Sequence, residues 1–207
     1  MVLLLVLAVP VYAEYINVSP DDYAGSRSLA TGGITAGGAW ATGNPTLTWN
    51  IEIEDSGQYA GWVKYIYTWN VSAGGNLSHI IFEISNNEQT VAVDFSAGLV
   101  DYYSADNGNP GMPSGFRGIK FNSPGNTITF YSTHLPMWGD FYAKDGNAGG
   151  LGTNTAWNIG NGTDPSGEPF TNWIPVPDTK PVPIPGAIWL LGASLLGLVG
   201  IKRRVQR

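Results

Sequence analysis

The sequence predicts an all-β fold, a β-sandwich or jelly-roll-like domain, on three observations. Apolar and polar residues alternate with period two through much of the chain between Tyr15 and Trp173. Turn clusters of Gly, Asn, Ser and Pro break that pattern at short, regular spacing. No stretch in this region sustains helical periodicity over about ten residues, and no internal repeat of about 20–50 residues is evident.

The strands follow in order. Leu47, Trp49, Ile51 and Ile53 alternate with Thr48, Asn50, Glu52 and Glu54, as in a strand with one wet face. Asp55-Ser56-Gly57 turns the chain. Tyr59 to Val71 reads as a long strand with Val63, Tyr65, Tyr67 and Trp69 on one face. Trp62, Lys64, Ile66 and Thr68 take the other face. Ser72-Ala73-Gly74-Gly75-Asn76 is the next turn. Ile80, Phe82 and Ile84 form another half-buried strand, and Val91, Val93 and Phe95 a further one. After a long loop come Phe116 to Phe121, then Thr127 to Ser132 with Ile128 and Phe130 inward, then a short strand from Phe141 to Ala143. About 150 residues of such chain can bury a core without disulfides, which matters because the chain has no Cys.

Composition bounds the function. The 207 residues carry ten Lys or Arg against sixteen Asp or Glu, a net charge of −6. That acidic balance argues against nucleic-acid binding, which needs a basic face to neutralise phosphates. The lack of Cys removes thiol catalysis and Cys-based zinc sites. Aromatics at 12% are too many for a disordered chain.

The two ends read differently from the middle. Residues 1–13 resemble a secretory signal peptide: an apolar run from Val2 to Val9, a break at Pro10, and small residues placing cleavage after Ala13. Residues 14–173 are the exported β-domain. Residues 174–185 hold Pro175, Pro177, Pro181, Pro183 and Pro185, an extended polyproline-II spacer that at ~3.1 Å per residue reaches roughly 34 Å. In residues 186–207, Gly186 to Ile201 carries no charge, and Lys202, Arg203 and Arg204 follow it. That is a short transmembrane helix with its tail in the cytoplasm and Trp189 at the outer interface. Four of the ten basic residues sit in the last six positions, so the exported part is near −10.

Val182-Pro183-Ile184-Pro185-Gly186-Ala187-Ile188-Trp189-Leu190-Leu191-Gly192, the Gly- and Leu-rich continuation and the basic end resemble the PEP-CTERM sorting signal. The resemblance is confined to the C-terminal residues. Ile184 stands where many members carry Glu. It implies export in a Gram-negative bacterium, a transient inner-membrane intermediate, and processing by an exosortase, with the Pro-x-Pro motif as recognition element. It also implies a final place at the outer surface or in an exopolysaccharide matrix. Trp189, Ala193, Gly197 and Gly200 fall near one helix face, where the small residues let another membrane helix approach, and Gly192, Gly197 and Gly200 weaken the helix.

Chemistry in the β-domain is sparse. His79 and His134 lie far apart and read as polar surface residues, since zinc needs three or four ligands. Glu52 and Glu54 are neighbours on one strand, whereas a glycosidase sets two carboxylates across a sugar from different elements. No nucleophile elbow, Walker loop or zinc-protease motif occurs, and no catalytic residue is assigned. Asp101, Asp106, Asn107 and Asn109, and separately Asp140, Asp145 and Asn147, form oxygen-rich loops of the kind that hold calcium. Asp, Asn and Gly favour turns in any case. Trp40, Trp62, Trp138, Trp157 and Trp173 are candidates for stacking against sugar rings, with Trp138 and Trp157 placed in loops. The expected function is a structural or adhesive surface or matrix protein linked to exopolysaccharide. The alternative is a carbohydrate-binding module using loop Trp residues, with calcium as a further ligand. An extracellular glycan-active enzyme ranks third.

Overall fold

The computed structural model describes residues 18–75, 77–84, 99–146, 153–165 and 169–177. Among them are β1 (Ala24–Ser28), β2 (Ile34–Gly37), a one-turn helix α1 (Trp40–Gly43), β3 (Thr46–Ile53), β4 (Val63–Asn70), β5 (Leu77–Glu83), β6 (Leu99–Tyr103), β7 (Phe116–Asn122), β8 (Thr127–Ser132), β9 (Pro136–Gly139), β10 (Phe141–Asp145), β11 (Thr155–Asn158) and β12 (Ile174–Pro177). The strands form a four-stranded sheet in the order β1-β3-β4-β8, a six-stranded sheet β2-β11-β10-β5-β7-β6, and a two-stranded sheet β12-β9. Each ladder pairs antiparallel strands. The fold is all-β and sandwich-like, as its alternation predicted. Among the described residues no helix is long and apolar enough to cross a membrane. Ala13, the expected strand around Val91 to Phe95, and the expected sorting segment from Val182 onward lie outside the described residues.

Period-two burial holds where one sheet face is wet. In β4, Val63, Tyr65, Tyr67 and Trp69 are buried while Lys64, Ile66 and Thr68 are half-buried. In β3, Leu47, Trp49 and Ile51 point inward; Ile53, expected inside, is exposed at the strand's end. β5 departs from expectation. It is buried on both faces, with Ile80 and Phe82 in the main core and Ile81 in a second cluster with Tyr103, Met112, Phe116 and Tyr142. The cause is the segment between β6 and β7, which supplies Met112 and lies across the outer face. Tyr142 Oη donates to Pro110 O there at 2.8 Å. Gly118 in β7 permits close packing at this point, since a Cβ would meet Ile81 Cγ2 at 2.6 Å and Phe82 O at 2.7 Å.

The main core is an aromatic seam between the two large sheets. Tyr67 of β4 stacks on Phe82 of β5 at 4.0 Å between centroids. Phe130 of β8 stacks on Tyr65 at 5.1 Å and on Phe121 of β7 at 5.3 Å. Both tyrosines are fully buried, so their hydroxyls need partners inside the protein. Tyr65 Oη donates to His134 O at 2.8 Å, and Tyr67 Oη to Pro175 O at 2.7 Å. Burial pushes the Tyr67 phenol well above its ordinary value.

The second of these bonds corrects the expected boundary at residue 173. Ile174–Pro177 is a fully buried strand paired with β9, and the Pro-rich spacer therefore begins inside the fold. In this register the prolines take alternate positions. A proline cannot donate to a ladder, so Ile174 and Val176 are left to face β9 and Pro175 O to face Tyr67.

Tyr67→Phe strands the Pro175 carbonyl and is expected to lower the urea unfolding free energy by about 1–3 kcal/mol. Phe130→Ala opens the seam itself and is expected to lower it by about 3–5 kcal/mol. A Tyr67→Phe variant as stable as wild type would contradict the bond's role.

Candidate functional site

The aromatic candidates separate by burial. Trp40, Trp138 and Trp173 are buried. Trp138 was expected in a loop but lies in β9, paired with Pro175 of β12. It meets Trp49 edge-on at 6.5 Å and stacks on Phe170 at 5.5 Å. The Arg27 guanidinium sits over the rings of Trp49 and Trp138 at 4.9 and 5.5 Å. It donates to Trp173 O at 3.0 Å and Phe170 O at 2.9 Å, and burial lowers its pKa. Trp157 is also on a strand, β11, and keeps a half-buried ring beside the second core cluster. Trp62 is half-buried on the outer side of the four-stranded sheet, 5.5 Å from Tyr59, which stacks on Tyr131 at 4.5 Å.

The oxygen-rich residues do not converge. Asn107 Oδ1 accepts from Ser104 N and from Asn109 Nδ2, both at 2.8 Å. Asn109 Oδ1 faces His79 Nε2 at 3.0 Å. These oxygens hold the turn after β6 in shape. Asp106 is exposed on that turn. Asp145, expected in a loop, is instead buried on β10 and accepts from Asn154 Nδ2 at 3.2 Å. Asn147 lies outside the described residues. Among the described residues no three His, Cys, Asp or Glu side chains form a group able to hold a metal ion.

Both histidines are buried, contrary to expectation. His79 is lowered to about 4 by burial and by Lys120 and Lys144. It is neutral at pH 7, and its bond to the Asn109 oxygen places the proton on Nε2. His134 lies against the core, and its backbone N–H donates to Ser132 Oγ at 3.0 Å.

Carboxylates hold structure together. Asp140, expected in an open loop, is buried. It accepts from Asn158 Nδ2 at 2.7 Å and Gly162 N at 2.8 Å. Asn158 in turn accepts from Phe141 N and donates to Asn172 O, both at 2.9 Å. The pair thus pins the segment after β11 to β10. Burial raises Asp140 to about 6 against the two hydrogen bonds that lower it. On the wet face of the four-stranded sheet, Lys64 Nζ bridges Glu52 at 2.8 Å and Glu54 at 3.7 Å.

A groove that sequence reasoning missed opens at one end of the four-stranded sheet. Its volume is about 400 Å³. The β3–β4 register sets Thr46 opposite Asn70, and Asn126 immediately precedes β8 on the other side of β4. Asn44, at the end of α1, completes the rim with a left-handed backbone at φ 45°. Trp69 and Val71 line the groove between these amides. A second hollow lined by Leu77, Ser123, Gly125 and Asn126 shares the Asn126 wall. Among the described residues neither hollow has an ionisable lining residue. The frame is tied: Ser72 N and Oγ both donate to Gly43 O, at 2.9 and 2.8 Å, and Trp69 N donates to Asn126 O at 2.8 Å. Three asparagines, one at the end of α1 and two at strand ends, are the sequence signal of this groove, and such residues ordinarily signify turns.

The raised Asp140 pKa has a defined sign. The native state binds its proton more tightly than the unfolded chain, so this group's contribution to stability falls as pH rises from about 4 through 6. The stability difference between wild type and Asp140→Asn is therefore expected to be larger at pH 4 than at pH 7, by roughly 2–3 kcal/mol, in urea unfolding. A difference independent of pH would place a charged Asp140 in the fold.

Searches against family models, curated proteins and solved structures returned no match to this chain.

Proposed function

We propose that this chain is an exported surface or extracellular-matrix protein with a structural or adhesive role linked to exopolysaccharide. In this reading the sandwich of jelly-roll type is the exported domain. A Pro-rich spacer and a single C-terminal membrane helix hold it at the inner membrane until an exosortase-type protease processes the tail. The protein acts by contact, without turnover. The observation that carries the reading is the ordered C-terminal set of Val182 to Gly186, the uncharged Gly- and Leu-rich stretch, and Lys202, Arg203 and Arg204. Support from the fold is indirect. The carboxylates Asp140, Glu52 and Glu54 are engaged in hydrogen bonds or ion pairs that serve the fold.

The carbohydrate-binding reading is carried by a different observation, the charge-free amide groove beside Trp69. It takes the place of Trp138, whose ring is in the core, and it is compatible with an adhesive matrix role.

Cell fractionation tests the sorting half. Wild type is expected in the surface or matrix fraction, lacking Trp189 and the closing arginines by mass spectrometry. Pro183→Ala/Pro185→Ala is expected to accumulate at full length in the inner membrane. If wild type also remains there uncleaved, the tail is a permanent anchor and the reading fails.

A further inference from the structure

We propose that the groove formed by Asn44, Thr46, Asn70 and Asn126 binds a neutral glycan chain. The inference rests on the matrix reading above and names the ligand class for it.

The lining chemistry selects the ligand. Each amide offers both a donor and an acceptor, as each sugar hydroxyl does. Asn44 Oδ1 is occupied by Ala30 N at 2.8 Å, which orients that amide and leaves its NH₂ for a ligand. The side chains of Asn70 and Asn126 are exposed, and no hydrogen bond holds them among the described residues. Among the described residues no cation lines the groove to meet a carboxylate or sulfate. The exported part is itself strongly acidic, so an anionic polymer is repelled at long range. A neutral polyhydroxylated ligand meets neither obstacle.

The floor adds a second observation. Trp69 is 1% exposed and lines the groove, and among the described residues its Nε1–H has no acceptor. Trp40, whose ring centroid lies 5.0 Å from that of Trp69, has an Nε1–H in the same condition. This is not general to the protein's indoles: Trp49 Nε1 donates to Asp22 O and Trp173 Nε1 to Thr163 O, both at 2.9 Å. A buried donor without an acceptor is rare in a folded protein, and this one belongs to a residue that lines the groove. The rim is also preorganised. The turn after β4 is held by Ser72 to Gly43 and by Asn154 Nδ2 to Gly74 O at 2.6 Å, so little ordering accompanies binding. A volume of about 400 Å³ falls in the range of ligand-sized clefts.

The test is affinity electrophoresis of the full-length protein in mild detergent, in gels containing dextran, laminarin, hydroxyethylcellulose or alginate. At least one of the three neutral polymers is expected to retard wild type, and alginate is not. Asn70→Ala/Asn126→Ala is expected to weaken that retardation by about tenfold or more, the loss of one to two hydrogen bonds, with an unchanged thermal midpoint. Trp62→Ala, outside the groove, is expected to bind as wild type does. The proposal is overturned if no neutral polymer retards wild type, if alginate alone does, or if the Asn variant binds undiminished. Sorting is read separately by fractionation. A correctly sorted chain that ignores neutral glycans defeats only the groove, and a glycan-binding chain that stays uncleaved defeats only the sorting reading.

Discussion

The buried hydroxyls of Tyr65 and Tyr67 constrain the whole body. Their rings fill the seam between the large sheets, yet each carries a polar tip that water cannot reach. Backbone carbonyls of His134 and Pro175 meet those tips. The chain must therefore bring the end of β8 and the strand β12 under the four-stranded sheet. That requirement accounts for the small third sheet, whose Ile-Pro-Val-Pro strand joins the ladder through Ile174 and Val176 and turns the Pro175 carbonyl toward the seam. Arg27 completes the closure, since its guanidinium ties the carbonyls of Phe170 and Trp173 to β1 between two indole faces.

Legibility in the sequence followed the solvent. β3, β4 and β8 each have one wet face, and alternation in Leu47 to Ile51, Val63 to Trp69 and Ile128 to Phe130 exposed them. β5 misled because its second face is covered by an aperiodic segment, so Ile81 had no visible reason to be apolar. Trp138 looked like a loop residue between Pro136 and Gly139, although edge strands tolerate both. Pro175 and Pro177 read as spacer for the same reason. β1 and β2 are rich in Gly, Ser and small residues and carry almost no apolar signal. The groove was illegible because Asn70 and Asn126 come together through strand register and Asn44 joins them from the end of α1, positions where Asn ordinarily means a turn.

The buried ionisable groups act in opposite directions. His79, lowered to about 4, contributes stability that is lost as pH falls from about 6.5 toward 4. Asp140, raised to about 6, works the other way over the overlapping range. The two partly offset each other. Charges secure the fold, and the described lining of the open groove is neutral.

The tyrosine seam and the strand it captures are tested most directly by native-state hydrogen exchange at Ile174 and Val176. The account predicts that Val176 exchanges only on global unfolding, with the same protection as Tyr65 and Tyr67 in β4. Exchange of Val176 at the rate of an open chain, with β4 still protected, would show that the Pro-rich end is not part of the fold and would contradict the account.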